Sequence, residues 1–323
     1  MQLNKFAALA AAALISATAA TAQDRTGWPS SLTVGTASQG GVYFVYGNGL
    51  AGFLGEELGI NASGEVTGGP VQNVTLVQMG DQDLGLVTMG PAYEAWTGQS
   101  ELAPGLEHRD IRALFPMYET PFQGIALRSS GITSVSDLAG RRVGVGPAGG
   151  TPGTYWPRFL NTLGVGATIS NAGAADTASQ LKDGLVDAFL FAAGLPIGAF
   201  SQLAAEADVV TFSFTPDELD TILEAHPEVS PFIIPAGTYT AQTADELSVA
   251  MWNFAIARAD MPDSLAYEIT RLVMENNDRM VQIHSAARAT LIENVGNNGF
   301  LPFHPGAVQY FTEQGVDIPE HLR

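Results

Sequence analysis

From residue 31 to residue 96 the chain repeats one pattern three times: a short apolar run, a glycine-rich stretch, then small and apolar residues at helical spacing. Ser31 to Thr36 (SLTVGT) reads as a strand, followed by SQGGVYF and a helix from Val45 to Leu58. A second strand ends at Val66, and after TGGP the spacing of Val71, Val74 and Val77 predicts a helix over Val71 to Met79. Leu84 to Thr88 is a third strand, with a third helix from Pro91 to Trp96. This order predicts α/β layers with the loops gathered at the carboxyl ends of the strands, where such sheets bind ligands.

Ile111 to Leu127 reads as extended chain crossing Pro116 and Pro121, as a connection between lobes would. The rhythm then restarts: strand Arg142 to Val145, helix Tyr155 to Leu163 closed by Gly164, strand Ala167 to Ser170, helix Ala174 to Lys182, strand Leu185 to Phe191. Thr215-Pro216-Asp217-Glu218 and Thr243-Ala244-Asp245-Glu246 both fit a capping box, a hydroxyl at the N-cap and a carboxylate three residues on, so a helix of about a dozen residues is expected after each. From Thr243 through the pattern Ser264 to Ala287 the expectation is helical. The division expected is 23–120 for the first part of lobe I, 121–234 for lobe II, and 235–323 as a mainly helical return to lobe I.

The first residues, with Lys5, an apolar run from Phe6 to Ser16 and the triplet Ala20-Thr21-Ala22, read as a signal peptide (1–22) cleaved near Ala22. A periplasmic protein is the simplest expectation. With no cysteine, disulfides, thiolate chemistry and an N-terminal lipid anchor drop out. The formal net charge of −19 argues against nucleic acid and anionic membranes as partners. An anionic ligand is still compatible with a local site, because salt screens the global field over about 8 Å.

Candidate chemistry sits in the glycine loops. In "EVTGGPVQN" Pro70 suits a first helical position and Gly69 an N-cap, a helix entrance able to hold an anion on its outward N–H groups. Gly144 to Gly149 matches G-x-G-x-x-G, but no acid stands at the end of the next strand to take ribose hydroxyls; Gly150 replaces the lysine a phosphate-binding loop needs. No cofactor is expected. The five histidines lie far apart, so no metal site is expected; His304 before Pro305-Gly306 reads as a turn former. No nucleophile motif points to an enzyme. Tyr43 and Tyr155 each follow a glycine-rich strand exit, where a cleft would place an amphipathic ring. Arg128, Arg141, Arg142 and Arg158 are candidates for an arginine clamp.

The ordered set GGVYF (40–44), VTGGPVQN (66–73), DLAGRRVGVGPAGGT (137–151), LKDGLVDAFLFAAGLP (181–196), IPAGTY (234–239) and FLPFHPGAVQYF (300–311) resembles the TAXI family, the substrate-binding proteins of tripartite ATP-independent periplasmic (TRAP) transporters. The resemblance implies a type II-like periplasmic binding protein fold: two α/β lobes, hinge connections and a ligand cleft between the lobes. It implies a small carboxylate-bearing ligand (dicarboxylate, 2-oxo acid or an amino acid such as glutamate) delivered to TRAP membrane permease subunits. A stand-alone ligand sensor of the same fold is the alternative. By resemblance the ligand-binding residues are Gly40, Gly41 and Tyr43; Thr67, Gly68, Gly69, Val71, Gln72 and Asn73; Met89 and Gly90; and Gly149, Gly150, Thr151, Thr154 and Tyr155. Pro70 stands where the family usually has serine, and Met89-Gly90 where it often has Ser-Asp. The missing aspartate leans the ligand toward a carboxylate without an amino group.

Overall fold

The computed structural model describes residues 25–323, so the expected signal peptide lies outside the described residues. The chain runs β1 (Ser31–Gly35), α1 (Val42–Leu58), β2 (Asn61–Glu65), α2 (Pro70–Met79), β3 (Leu84–Thr88), α3 (Met89–Trp96) and the long β4 (Ile111–Leu127). It continues with β5 (Arg142–Gly144), α4 (Thr151–Thr162), β6 (Thr168–Ser170), α5 (Ala174–Lys182), β7 (Ala188–Ala192), α6 (Gly198–Glu206), β8 (Val209–Phe212), α7 (Pro216–Ala225) and β9 (Ser230–Ile234). After β10 (Glu246–Arg258) come α8 (Asp263–Glu275), α9 (Asn277–Ile283) and α10 (Pro305–Glu313).

The strand order β2-β1-β3-β10-β4-β7-β5-β6 contains two parallel units, β2-β1-β3 and β7-β5-β6. Between them β4 and β10 run antiparallel to each other, β10 pairing with β3 of the first unit and β4 with β7 of the second. β4 pairs with β10 from Ile111 to Pro121, then with β7 and β8 from Phe122 to Leu127. β10 pairs with β9 up to Ala250 and with β3 from Asn253. These two strands are the crossings between the two units. Their ladder is irregular between Trp252 and Phe254, opposite a stretch where Pro116 and Pro121 bring no N–H.

The burial of each strand explains its sequence. β3 and β7 are buried throughout and consist of apolar or small residues apart from Thr88, as strands covered on both faces do. β2, at the edge, is polar and alternates in exposure. α7 carries the capping box expected at Thr215, whose hydroxyl accepts from the Glu218 N–H while the Glu218 carboxylate accepts from the Thr215 N–H.

The matching motif at Thr243 starts no helix. Glu246 opens β10, and its carboxylate accepts instead from Gln123 Nε2 (2.7 Å) and Thr211 Oγ1 (2.5 Å). Pairing with β3, β4 and β9 outweighs the local signal, so the C-terminal part is helical only from Asp263. The expected long helix Ser264 to Ala287 breaks at Asn276, whose side-chain amide caps the Leu272 carbonyl at 2.8 Å. α3 and α4 begin earlier than expected, at Met89 and Thr151, because Pro91 and Pro152 are tolerated in the first turn.

Candidate functional site

The C-terminal ends of β1, β3 and β7 and the glycine loops beside them bring four helix N-termini to one place. The N-caps are Gly41 for α1, Gly69 for α2, Thr88 for α3 and Gly150 for α4, and no side chain caps any of the four. No side-chain oxygen therefore neutralises these dipole ends, although the Val71 N–H of α2 is taken by the Gly149 backbone carbonyl.

The cleft is closed. Val71 N–H donates to the Gly149 carbonyl across the lobes at 3.0 Å, and Thr88 and Thr151 bond through their hydroxyls at 2.7 Å. On the opposite flank Ala174 N–H donates to Ser38 Oγ (3.2 Å), Ala175 N–H to the Gln39 carbonyl (3.1 Å) and Ala199 N–H to the Gly40 carbonyl (3.0 Å). Tyr155 donates to Glu94 Oε1 at 2.8 Å, and Arg158 pairs with both Glu94 and Glu101.

Closure leaves an internal cavity of about 30 Å³, room for roughly two waters. Its walls are Ala37-Ser38, Gly41 to Tyr43, Gly68 to Pro70, Thr88, Thr120, Pro147, Gly150 to Pro152 and Phe191 to Ala193. No charged side chain is among them. Polarity comes from hydroxyls and helix N-termini. Behind the wall, buried Asn253 accepts from the Tyr43 hydroxyl with Oδ1 (2.5 Å), and its Nδ2 donates to the Tyr118 carbonyl (2.5 Å) and Thr120 Oγ1 (2.8 Å). Burial holds the Tyr43 phenol far above its usual pKa, so it is a neutral donor.

A second, wider groove of about 600 Å³ lies alongside, lined by Met89, Gly90, Tyr93, Glu94, Tyr155, Glu228 and Phe300 among others. Tyr155 packs so close to Gly90 that a Cβ there would stand 2.5 Å from its hydroxyl and 2.8 Å from the Met251 sulfur.

The expected ligand residues fall into four groups. Gly41, Tyr43, Gly68, Gly69, Gly150 and Thr151 line the internal cavity. Met89, Gly90 and Tyr155 line the wider groove. Gly40, Val71 and Gly149 face the other lobe's backbone, so the Val71 N–H meets a carbonyl rather than open space. Thr67, Gln72 and Asn73 are engaged within their own lobe: Asn73 donates to the carbonyls of Gly35, Thr36 and Leu86 and accepts from Thr67, while Gln72 accepts from Gly68 N–H. Thr154 is buried one turn into α4 and lines neither space.

The arginines are elsewhere: Arg128 pairs with Asp208, Arg142 with Asp187, and Arg141 is exposed. The G-x-G-x-x-G loop serves packing, since a Cβ on Gly144 would meet Thr177 at 2.3 Å and one on Gly146 would meet Phe191 at 2.8 Å. Sequence reasoning missed Ser38, Thr88, Thr120 and Asn253. The available signal was a lone asparagine inside the apolar run Met251 to Ile256. Among the described residues no group of three His, Asp or Glu side chains is placed to hold a metal, and no helix is long and apolar enough to cross a membrane.

Two parallel α/β units, the crossing strands between them and a closed cleft walled by helix N-termini define a two-lobed α/β fold. Residues 34–315 match the NMT1-like family, and the chain belongs to it. Its fold is shared by MatC from Rhodopseudomonas palustris with bound malate (TM-score 0.57, 14% identity, 88% of this chain and 96% of that one). It is also shared by the periplasmic binding protein BugD (TM-score 0.51, 14%, 80% and 83%) and by an ancestral arginine-binding protein bound to arginine (TM-score 0.51, 15%, 80% and 97%).

Proposed function

We propose that the protein is a periplasmic solute receptor of a TRAP transporter that captures a small carboxylate between its lobes and delivers it to the membrane permease, without turning it over. The observation that carries this reading is the meeting of four uncapped helix N-termini around a cavity whose lining contains no acid and no base. Dipole ends and hydroxyls there favour an anion. Hydrogen bonds to a charged group contribute roughly 1.5–3 kcal/mol each, so two or three suffice for micromolar binding after ordering costs. The ordered TAXI-like motifs support the transporter assignment and the export that a permease partner requires. Closure gives the permease a liganded shape to recognise.

The test is mass spectrometry of ligand released from the denatured protein, with a thermal-shift screen of small acids. A ligand at one hundred times its dissociation constant stabilises by about 2.7 kcal/mol, a visible shift. A screen in which no small carboxylate moves the melting curve overturns the reading. Uptake of the captured acid into vesicles carrying the permease tests the transport step.

A further inference from the structure

The wider groove beside the sealed cleft has a different chemistry from the cavity. One wall is α3, with Tyr93 and Glu94, together with Phe300; the other is Tyr155 on α4 and Glu228 in the turn after α7. α3 follows β3 of one parallel unit and α4 follows β5 of the other, so the groove is complete only when the two are shut against each other. At about 600 Å³ it has the size of a small-molecule site. Tyr93 is 48% exposed, and Phe300 meets it edge to face at 5.2 Å. An aromatic pair left open on a groove wall is surface for an apolar body.

The charge of the groove is one-sided. Its lining holds two carboxylates, Glu94 and Glu228, and no Lys or Arg. Arg158 stands behind the wall, 4.9 Å over the Tyr155 ring, and is spent on Glu94 and on Glu101. Three carboxylates therefore meet one guanidinium. Glu94 is further occupied by the Tyr155 hydroxyl, whereas Glu228 has His226 Nδ1 alone, at 3.2 Å. Glu228 is the acceptor left for a ligand. Its field reaches across to Tyr155, where burial first, then Glu94 and Glu228, hold the phenol far above its usual pKa.

We propose that this groove is a second binding site, for a small organic cation: an ammonium group paired with Glu228 and a ring-bearing body against Tyr93 and Phe300. Carboxylate and aromatic rings attract the same charge, so the two walls reinforce each other. A neutral molecule forgoes the Glu228 contact, and an anion is repelled by it. The site is separate from the internal cavity, whose lining carries no charge, and it stands or falls without the receptor reading above.

The experiment is NMR titration of the purified protein with three probes: phenethylamine; 2-phenylethanol, which keeps the ring and lacks the charge; and butylamine, which keeps the charge and lacks the ring. The expected result is saturable binding of phenethylamine, roughly tenfold tighter than either partner. Glu228→Gln should bring phenethylamine down to the affinity of the alcohol. Glu224→Gln removes the same charge from an exposed position on α7 outside the groove, and should leave all three probes unchanged. Tyr93→Ala, at a half-exposed position that the fold tolerates, should weaken phenethylamine and spare butylamine. Equal binding of amine and alcohol, equal effects of the two glutamate variants, or no saturable binding of phenethylamine overturns the proposal.

Discussion

Gly69 and Gly150 meet across the cleft so closely that a Cβ on Gly69 would lie 2.9 Å from the Cα of Gly150. The contact is backbone on backbone, so nothing flexible can move aside, and Gly69 also sits at φ +114°, where side chains are strained. Bare backbone at the start of α2 thus lets the two lobes seal at the helix ends. Gly69→Ala is expected to cost about 1–2 kcal/mol of stability from backbone strain and, in addition, to hold the lobes apart, weakening ligand binding by roughly tenfold or more. Calorimetry alongside thermal melting checks this; native affinity in the alanine variant would refute the sealing role.

Glu94 on α3 receives both the Tyr155 hydroxyl and the Arg158 guanidinium from α4, and Arg158 reaches Glu101 as well. All these contacts cross the lobe boundary and exist only when the cleft is shut. Opening returns Glu94 and Arg158 to water, so the pair biases closure more than folding. Arg158→Met should therefore leave Tm without ligand nearly unchanged while weakening apparent affinity by roughly tenfold, chiefly through faster release. A double-mutant cycle with Glu94→Gln measures the coupling, and additive effects would show that the two side chains do not act together.

Asn73 gives a contrasting prediction. Its side chain ties the ends of β1 and β3 together through the Gly35, Thr36 and Leu86 carbonyls, and it is fully buried. Asn73→Ala leaves three carbonyls short of a donor and is expected to destabilise the protein by about 2–4 kcal/mol. The fraction that remains folded should bind ligand with near-native affinity. Lost affinity with unchanged Tm would instead place Asn73 at the ligand.

These cases show what the linear sequence displays. The repeated strand, glycine loop and helix are legible because apolar periodicity and glycine punctuation are local; they place Gly69 at a helix entrance, whereas α1 and α4 start several residues before the expected Val45 and Tyr155, with Gly41 and Gly150 as N-caps. β10 was not legible. Leu247 to Ala257 is buried on both faces, so its apolar run carries no alternation to separate strand from helix, and the box at Thr243 tipped the reading. Asn253 and Thr88 were invisible for the same reason: they become neighbours only through the β10–β3 register, in which the two residues pair directly. Asn73, expected at the ligand by resemblance, spends its side-chain amide on the ends of β1 and β3 in the closed structure, a tie that the motif alone does not display.

His304 supplies the pH dependence. It is buried at the N-cap of α10, where Nδ1 accepts from the Gly306 N–H at 3.3 Å. Burial lowers its pKa below 6.5; Asp263, 3.7 Å from Nδ1, opposes that shift together with Asp260, and Arg112 adds to it. Protonation would remove the acceptor and set a cation against the positive end of the helix dipole. Because the folded pKa lies below the unfolded one, the unfolded chain binds the extra proton more readily. The stability this group contributes is therefore complete above about 6.5 and is lost as pH falls through that value toward the lower folded pKa. His304→Asn retains a capping oxygen without a titrating group. The difference in Tm between wild type and variant should be constant above pH 7 and should shift in favour of the variant as pH falls below 6.5. Comparing the two proteins at each pH cancels the opposite trend of Glu246, whose pKa burial raises and which loses stability as pH rises. Parallel Tm curves across the range would show that His304 does not titrate in this window.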